Sequence, residues 1–241
     1  MSSHKGFTLI ELLVVISIIT ILASLSIVGI MAALSTSDEK VTEMMIQDVA
    51  SALEQYQLNE GLYPDVFIEA ANPNTIQMDE TGENLGIETC LLILRAKAGF
   101  PIESYQDKIG NTDEDQNQTA YEYYGLGNAT PDMFELVDPW GNPLVYIPEA
   151  RYGEEFIYVD ASGERIYVHA EPLAKTGTFP QGYMIWSFGP DGENQNGKGD
   201  DITSWKKSEE DKKDPDEMYE DDFDDDDTGE SYDDDDELGS E

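Results

Sequence analysis

The sequence predicts an α+β chain in which one long N-terminal helix packs on a small antiparallel sheet. Three observations carry that expectation. No charged residue occurs from 12 to 37, an apolar stripe at helical spacing continues as far as Tyr56, and short runs of aromatic and β-branched residues appear only after residue 142. Sheet following helix in this order puts the strands against the amphipathic half of the helix.

The run 7–34, FTLIELLVVISIITILASLSIVGIMAAL, is apolar or small except at Glu11. A hydrocarbon core of about 30 Å takes about 20 helical residues, so the run is long enough to span it. Lys5 precedes the run and the first charges beyond it are Asp38 and Glu39. The positive-inside tendency therefore places residues 1–6 in the cytoplasm and the chain beyond about residue 35 across the membrane, in a single pass. A cleaved secretory signal has an apolar core of about 7–15 residues, roughly half of what is present here. A carboxylate costs on the order of 3 kcal/mol at a bilayer centre and less near the edge, which makes Glu11 a functional candidate.

The helix continues past the membrane. Val41, Met44, Met45, Val49, Leu53 and Tyr56 recur at three- and four-residue spacing, and Gly61 with Pro64 ends the pattern. A helix from Phe7 to about Asn59 is roughly 80 Å long at 1.5 Å per residue. A second, shorter helix is predicted over 85–98 from Leu85, Ile87, Leu91, Leu92, Leu94 and Ala98, stopped by Gly99 and Pro101. Cys90 lies within it and reads as a small buried residue, since no cluster nearby would stabilise a thiolate. Strands are predicted at 143–147 (PLVYI), 155–159 (EFIYV), 165–169 (RIYVH) and 183–188 (YMIWSF), with 160–164 (DASGE) as a hairpin turn. The segment 110–119 reads as an exposed loop, and Tyr121, Tyr123 and Tyr124 as core or subunit-interface residues.

Charge and composition exclude several functions. The 241 residues carry 13 Lys plus Arg against 52 Asp plus Glu, a net charge of −39. No basic patch offsets it, so nucleic acid is not an expected partner. One cysteine cannot make an intrachain disulfide, and two histidines, His4 and His169, make no zinc cluster. His169 reads as an ordinary strand residue. No nucleophile motif or cofactor fingerprint occurs, so the chain is not expected to be an enzyme. The charge is uneven: 208–241 holds 20 acids and only Lys212 and Lys213 as bases, which reads as a disordered, solvated tail. The expected organisation is a short segment 1–6, a long helix 7–60, a globular head 61–207 and the acidic tail 208–241.

Two loops remain. D-P-W-G-N-P at 138–143 combines two prolines with Gly141 and Asn142, a rigid turn with Trp140 as its packing anchor. GPDGENQNGKGDDI at 189–202 has four glycines and the acids Asp191, Asp200 and Asp201. Calcium takes six to eight oxygen ligands, and a loop this tight can aim carboxylates and carbonyls at one point; it is not an EF-hand, and a solvated acidic turn is the other reading.

Residues 5–16, K-G-F-T-L-I-E-L-L-V-V-I, resemble the leader of type IV pilins and of type II secretion pseudopilins. D-P-W-G-N-P before a strand, and S-x-G-P-D-G followed by a glycine-rich stretch ending D-I-x-x-W, extend the resemblance to the major pseudopilin of type II secretion. The resemblance implies a pilin-like fold with a C-terminal metal loop, cleavage by prepilin peptidase after Gly6 and methylation of the new amine at Phe7. It implies that Glu11 pairs with the N-terminal amine of a neighbouring subunit in a homo-oligomeric filament. It further implies a bacterial inner-membrane anchor surrounded by lipid, a periplasmic head, and contacts with minor pseudopilins and an inner-membrane assembly platform. A structural calcium ion is implied in the last loop, held by the side chains of Asp191, Asp200 and Asp201 and by backbone oxygens near Phe188 and Glu193. The expected function is that of a pseudopilus subunit in protein export, and the alternative is a type IV pilin or minor pilin for adhesion, motility or DNA uptake. Two segments exceed the family pattern: 70–127 is expanded, and 148–182 inserts an extra hairpin.

Overall fold

The computed structural model describes residues 9–66, 82–126 and 132–213, with residues 23–35 and Thr119 described by their backbone alone. Residues 1–8, including Gly6 and Phe7, and the tail from 214 lie outside the described residues.

Helix α1 runs from Leu9 to Glu60 without a break. No proline interrupts it, and the hydroxyls of Ser17 and Thr20 donate 2.8 Å hydrogen bonds to the carbonyls of Leu13 and Ile16, four residues back. Hydroxyls satisfied within the helix suit apolar surroundings. The large apolar side chains of its first turns, Leu12, Ile16, Ile19 and Leu22 among them, are exposed. Among the described residues, no helix is long and apolar enough to cross a membrane. The stretch 9–22, whose side chains are described, is shorter than the roughly 20 residues that a span needs, and the predicted span 7–34 extends beyond it.

The second half of α1 buries Thr42, Met45, Ile46, Val49 and Leu53, flanked by Val41 and Tyr56. Met44, expected in this stripe, is instead 56% exposed. At about 100° per residue it projects away from the Met45–Val49–Leu53 face, and Ile46 takes the core position. Gly61, at φ 81°, closes the helix by donating its N–H to the Gln57 carbonyl at 2.8 Å.

Helix α2, Leu85–Lys97, is buried on nearly all sides from Leu85 to Leu94 and packs between α1 and the strands. Cys90 is completely buried within it, and burial pushes its thiol well above the usual range. Gly86 lets α2 lie directly on the backbone of the neighbouring strand: a Cβ there would sit 2.6 Å from the Tyr158 hydroxyl and closer still to the Tyr146 carbonyl oxygen. Tyr158 is itself fully buried and its hydroxyl accepts the Tyr146 N–H, so neither neighbour can move aside cheaply. Gly86→Ala is expected to destabilise the head by about 2–3 kcal/mol through overpacking, read as a drop in thermal midpoint of roughly 4–12 °C.

The strands are β1 (Ile109–Gly110), β2 (Glu135–Leu136), β3 (Val145–Pro148), β4 (Glu155–Val159), β5 (Arg165–His169), β6 (Tyr183–Ser187) and β7 (Ile202–Thr203). They form three small antiparallel sheets rather than one: β3–β6–β7, the β4–β5 hairpin and the β1–β2 pair. The central pairing sets Val145 opposite Trp186 and Ile147 opposite Met184. The inserted hairpin has the bounds expected of it and lies over α2, turning where the Asp160 carboxylate accepts the N–H groups of Ser162 and Glu164 at 2.8 and 2.9 Å. A short helix α3, Gln118–Tyr123, capped by the Asn117 side chain, carries the tyrosines. Tyr121 is buried, Tyr124 packs partly and Tyr123 is half exposed.

Two further expectations change. Trp140 is not the anchor of the D-P-W-G-N-P turn; it is half-buried outside the core, and Asp138 and Asn142 are buried in its place. The head also extends past 207, because Asp211 is 3% exposed and its carboxylate accepts from the Ala174 N–H at 2.7 Å and the Ser208 N–H at 2.9 Å.

Candidate functional site

The glycine-rich loop leaves β6 and returns as β7, so both its ends are fixed by the central sheet. Its entry is held from the side: one Asp138 carboxylate oxygen accepts the N–H groups of Trp140 and Asn142, the other accepts the Ser187 hydroxyl at 2.7 Å, and Ser187 accepts the Gly189 N–H. The two loops singled out by sequence are therefore parts of one assembly. Gly189 has φ 70°, and a Cβ there would meet the Asp200 carbonyl oxygen at 2.6 Å. Only glycine fits this approach.

The acids of the loop divide into two groups. Asp191 is exposed; its carboxylate accepts the Glu193 N–H at 2.8 Å and the Gln195 amide at 3.2 Å. Asp200 accepts the Asp191 N–H at 3.1 Å, and burial, together with the adjoining Asp191 carboxylate, raises its pKa. Asp201 turns inward, 1% exposed, where one carboxylate oxygen accepts from Gly197 and Gln195 and the other, Oδ1, is buried with no hydrogen-bond partner. Burial pushes Asp201 up to about 8. The Lys207 ammonium donates to the backbone carbonyls of Gly199, Lys198 and Asp201, so a side-chain cation already occupies three carbonyls of the loop. Phe188 is fully buried at the loop entrance, and Glu193 is exposed at its tip. Among the described residues, Asp191, Asp200 and Asp201 are not gathered as three carboxylates within metal-ligand reach of one another; the orphaned Asp201 oxygen is the feature of the loop that suits a hard cation.

Sequence reasoning missed a second group of acids. Glu88 of α2, Asp113 and Glu135 of β2 each bring a carboxylate oxygen within 4.8 Å of the others. The segment 110–119 is thus not a plain exposed loop. Gly110 pairs in β1, Asn117 caps α3, and Asp113 and Asp115 turn their carboxylates into the head. One signal was available, for Glu88 is the only acid between Leu85 and Leu94 on an otherwise apolar helix.

At the other end of the molecule, Glu11 is exposed on α1 among exposed aliphatic side chains. The family described as Prokaryotic N-terminal methylation motif matches residues 1–27, the stretch that holds Gly6, Phe7 and Glu11. The chain carries a prepilin-like leader. The leader supports a type IV pilin-like protein, processed by prepilin peptidase and assembling as pilus-type subunits do; the long helix followed by small antiparallel sheets agrees with that fold. No curated protein and no solved structure matches the chain.

Proposed function

We propose that this chain is a structural, non-catalytic subunit of a type II secretion pseudopilus, assembling through α1 to drive protein export across an outer membrane. The observation that carries the reading is the joining of two distant motifs. The D-P-W-G-N-P turn is hydrogen-bonded through Asp138 and Ser187 to the entrance of the G-P-D-G loop, in a chain that begins with a prepilin-like leader. On this reading prepilin peptidase cuts after Gly6 and methylates Phe7. The first half of α1 anchors the subunit in the inner membrane with the head in the periplasm, and Glu11 sets the register between subunits. Minor pseudopilins and an inner-membrane platform are its partners. Calcium is bound in the loop by Asp191, Asp200 and Asp201 with backbone oxygens near Phe188 and Glu193. Its chemistry is purely structural, neutralising acids of the folded loop.

Deleting the gene in its host tests the reading against the pilin alternative. Exported proteins are expected to accumulate in the periplasm while adhesion, motility and DNA uptake are retained. Normal export with loss of any of those three would assign the chain to a pilus instead.

A further inference from the structure

Glu88, Asp113 and Glu135 come from three separate pieces of chain, distinct in sequence from the loop 189–202. Glu88 is 1% exposed, and both its carboxylate oxygens are buried with no hydrogen-bond partner. Both oxygens of Asp113 are likewise buried and without a hydrogen-bond partner. Glu135, with no exposure at all, is held in place: its Oε1 accepts the Asn84 amide at 2.6 Å and the Thr112 N–H and hydroxyl at 3.1 Å each. Asp115 adds a fourth carboxylate beside Glu88 and Asp113. Among the described residues, no lysine, arginine or histidine forms an ion pair with Glu88, Asp113 or Glu135. The nearby cations are engaged elsewhere, Arg95 with Glu103 and Arg165 with Glu83.

Such an arrangement is costly as it stands. A buried carboxylate needs a hydrogen-bond donor or a countercharge; here Glu135 has well-formed donors, Asp113 has only loose contacts with the 113 and 115 N–H groups, and Glu88 faces another carboxylate, Asp115. Protonation could relieve one charge. A divalent cation would relieve the group as a whole and also fill the empty acceptor positions of Glu88 and Asp113. The donors are all oxygens and all carboxylates, which suits a hard cation and excludes a thiolate or imidazole preference. Asp113 also lines a surface cleft of about 670 Å³ with Glu83, Thr112, Glu114, Glu164 and Arg165, so one member of the cluster borders the surface.

We propose that Glu88, Asp113 and Glu135, with Asp115 alongside, form a calcium site separate from the glycine-rich loop. The ion would tie α2, the 111–115 loop and β2 together, joining residues 47 positions apart, with Glu88 and Asp113 in the segment 70–127 that exceeds the family pattern and Glu135 beyond it. In a chain whose only cysteine is buried and free, it would serve the purpose of a cross-link.

The test is calcium stoichiometry by equilibrium dialysis on the full-length protein in detergent, in physiological salt with excess magnesium to suppress weak binding by surface acids. The loop variant Asp191→Asn/Asp201→Asn is expected to retain one tightly bound calcium per chain. Adding Glu88→Gln/Asp113→Asn is expected to remove it, weakening binding at least tenfold, while the quadruple variant stays folded in chelator because the buried carboxylates without well-formed donors are neutralised and Glu135 keeps its hydrogen bonds from Asn84 and Thr112. A loop variant that binds no calcium tightly, or a quadruple variant that binds as well as the loop variant, would overturn the proposal. The first of these readouts needs no change in the cluster itself, and neither depends on whether the loop binds calcium.

Discussion

A chain carrying Glu11→Leu is expected to enter the membrane and lose residues 1–6 normally, yet to yield at least tenfold less assembled filament. Leucine removes the cost of placing a carboxylate in lipid, so insertion does not suffer. On the proposed reading, what is lost is the partner of the Phe7 amine on a neighbouring subunit. Removing one member of a buried ion pair costs about 3–5 kcal/mol, because the other charge stays buried without compensation. That amounts to more than about a hundredfold in the subunit concentration at which assembly begins. Glu11 is exposed on α1 among exposed aliphatic side chains, an apolar surface of the kind that lipid or neighbouring helices cover. Sheared filament yield measures assembly, and mass spectrometry of the N-terminus shows that processing is intact. Glu11→Asp, which keeps the charge on a shorter arm, is expected to fall between the two. Wild-type filament yield from a correctly processed Glu11→Leu chain would remove the pairing role.

Local pattern made some of the fold readable and left other parts hidden. The helix α1 was legible because nothing between Leu9 and Glu60 breaks a helix, and the β4–β5 hairpin because alternation on both sides of D-A-S-G-E fixes its register. Strands β1, β2 and β7 are two residues each; their pairing is decided by what packs on them, and no propensity over two residues could announce it. In D-P-W-G-N-P the largest side chain drew attention, whereas Asp138 and Asn142 do the holding, because a buried turn must satisfy its own N–H groups before it can use a ring. The loop acids were legible as a set, but their division was not: Asp201 faces inward and Asp191 outward although both lie within one short glycine-rich stretch. The cluster at Glu88 had no sequence spacing to read. Its members meet only once α2 has docked on the sheet, and Glu114, at φ 60° between Asp113 and Asp115, gives a local backbone turn that sequence does not reveal.

In chelator, the head is expected to lose stability as pH rises from about 5.5 to 8.5, and calcium is expected to reverse that trend. Burial, reinforced by Asp115 and Glu135, pushes Asp113 up to about 7. Burial pushes Asp201 up to about 8, with Asp200 adding to the rise and Lys207 with the Gly197 and Gln195 N–H groups opposing it. Glu88 is raised in the same direction by burial and by Asp115, Asp113 and Glu135. Each folded pKa lies above its unfolded value, so between about pH 4 and 8 the folded chain binds more protons than the unfolded one. The stabilisation is complete below the unfolded pKa and is lost as pH climbs through the folded values. Calcium competes for the same oxygens and requires them deprotonated, so its effect grows over the same interval. At a hundredfold excess over each dissociation constant, binding adds about 2.7 kcal/mol per site, about 5 kcal/mol for the cluster and the loop together and roughly 10–20 °C in thermal midpoint. Thermal unfolding with calcium and with chelator at several pH values measures the gap, with the buried Trp186 indole as an intrinsic probe. A gap that stays constant with pH would mean that protons and calcium do not share these carboxylates. Loss of half the gap in Glu88→Gln/Asp113→Asn, and of the other half in Asp191→Asn/Asp201→Asn, would apportion it between the site joining α2, the 111–115 loop and β2 and one between two strands of the central sheet. The two ions would then act as independent staples on a chain that has no disulfide to do either job.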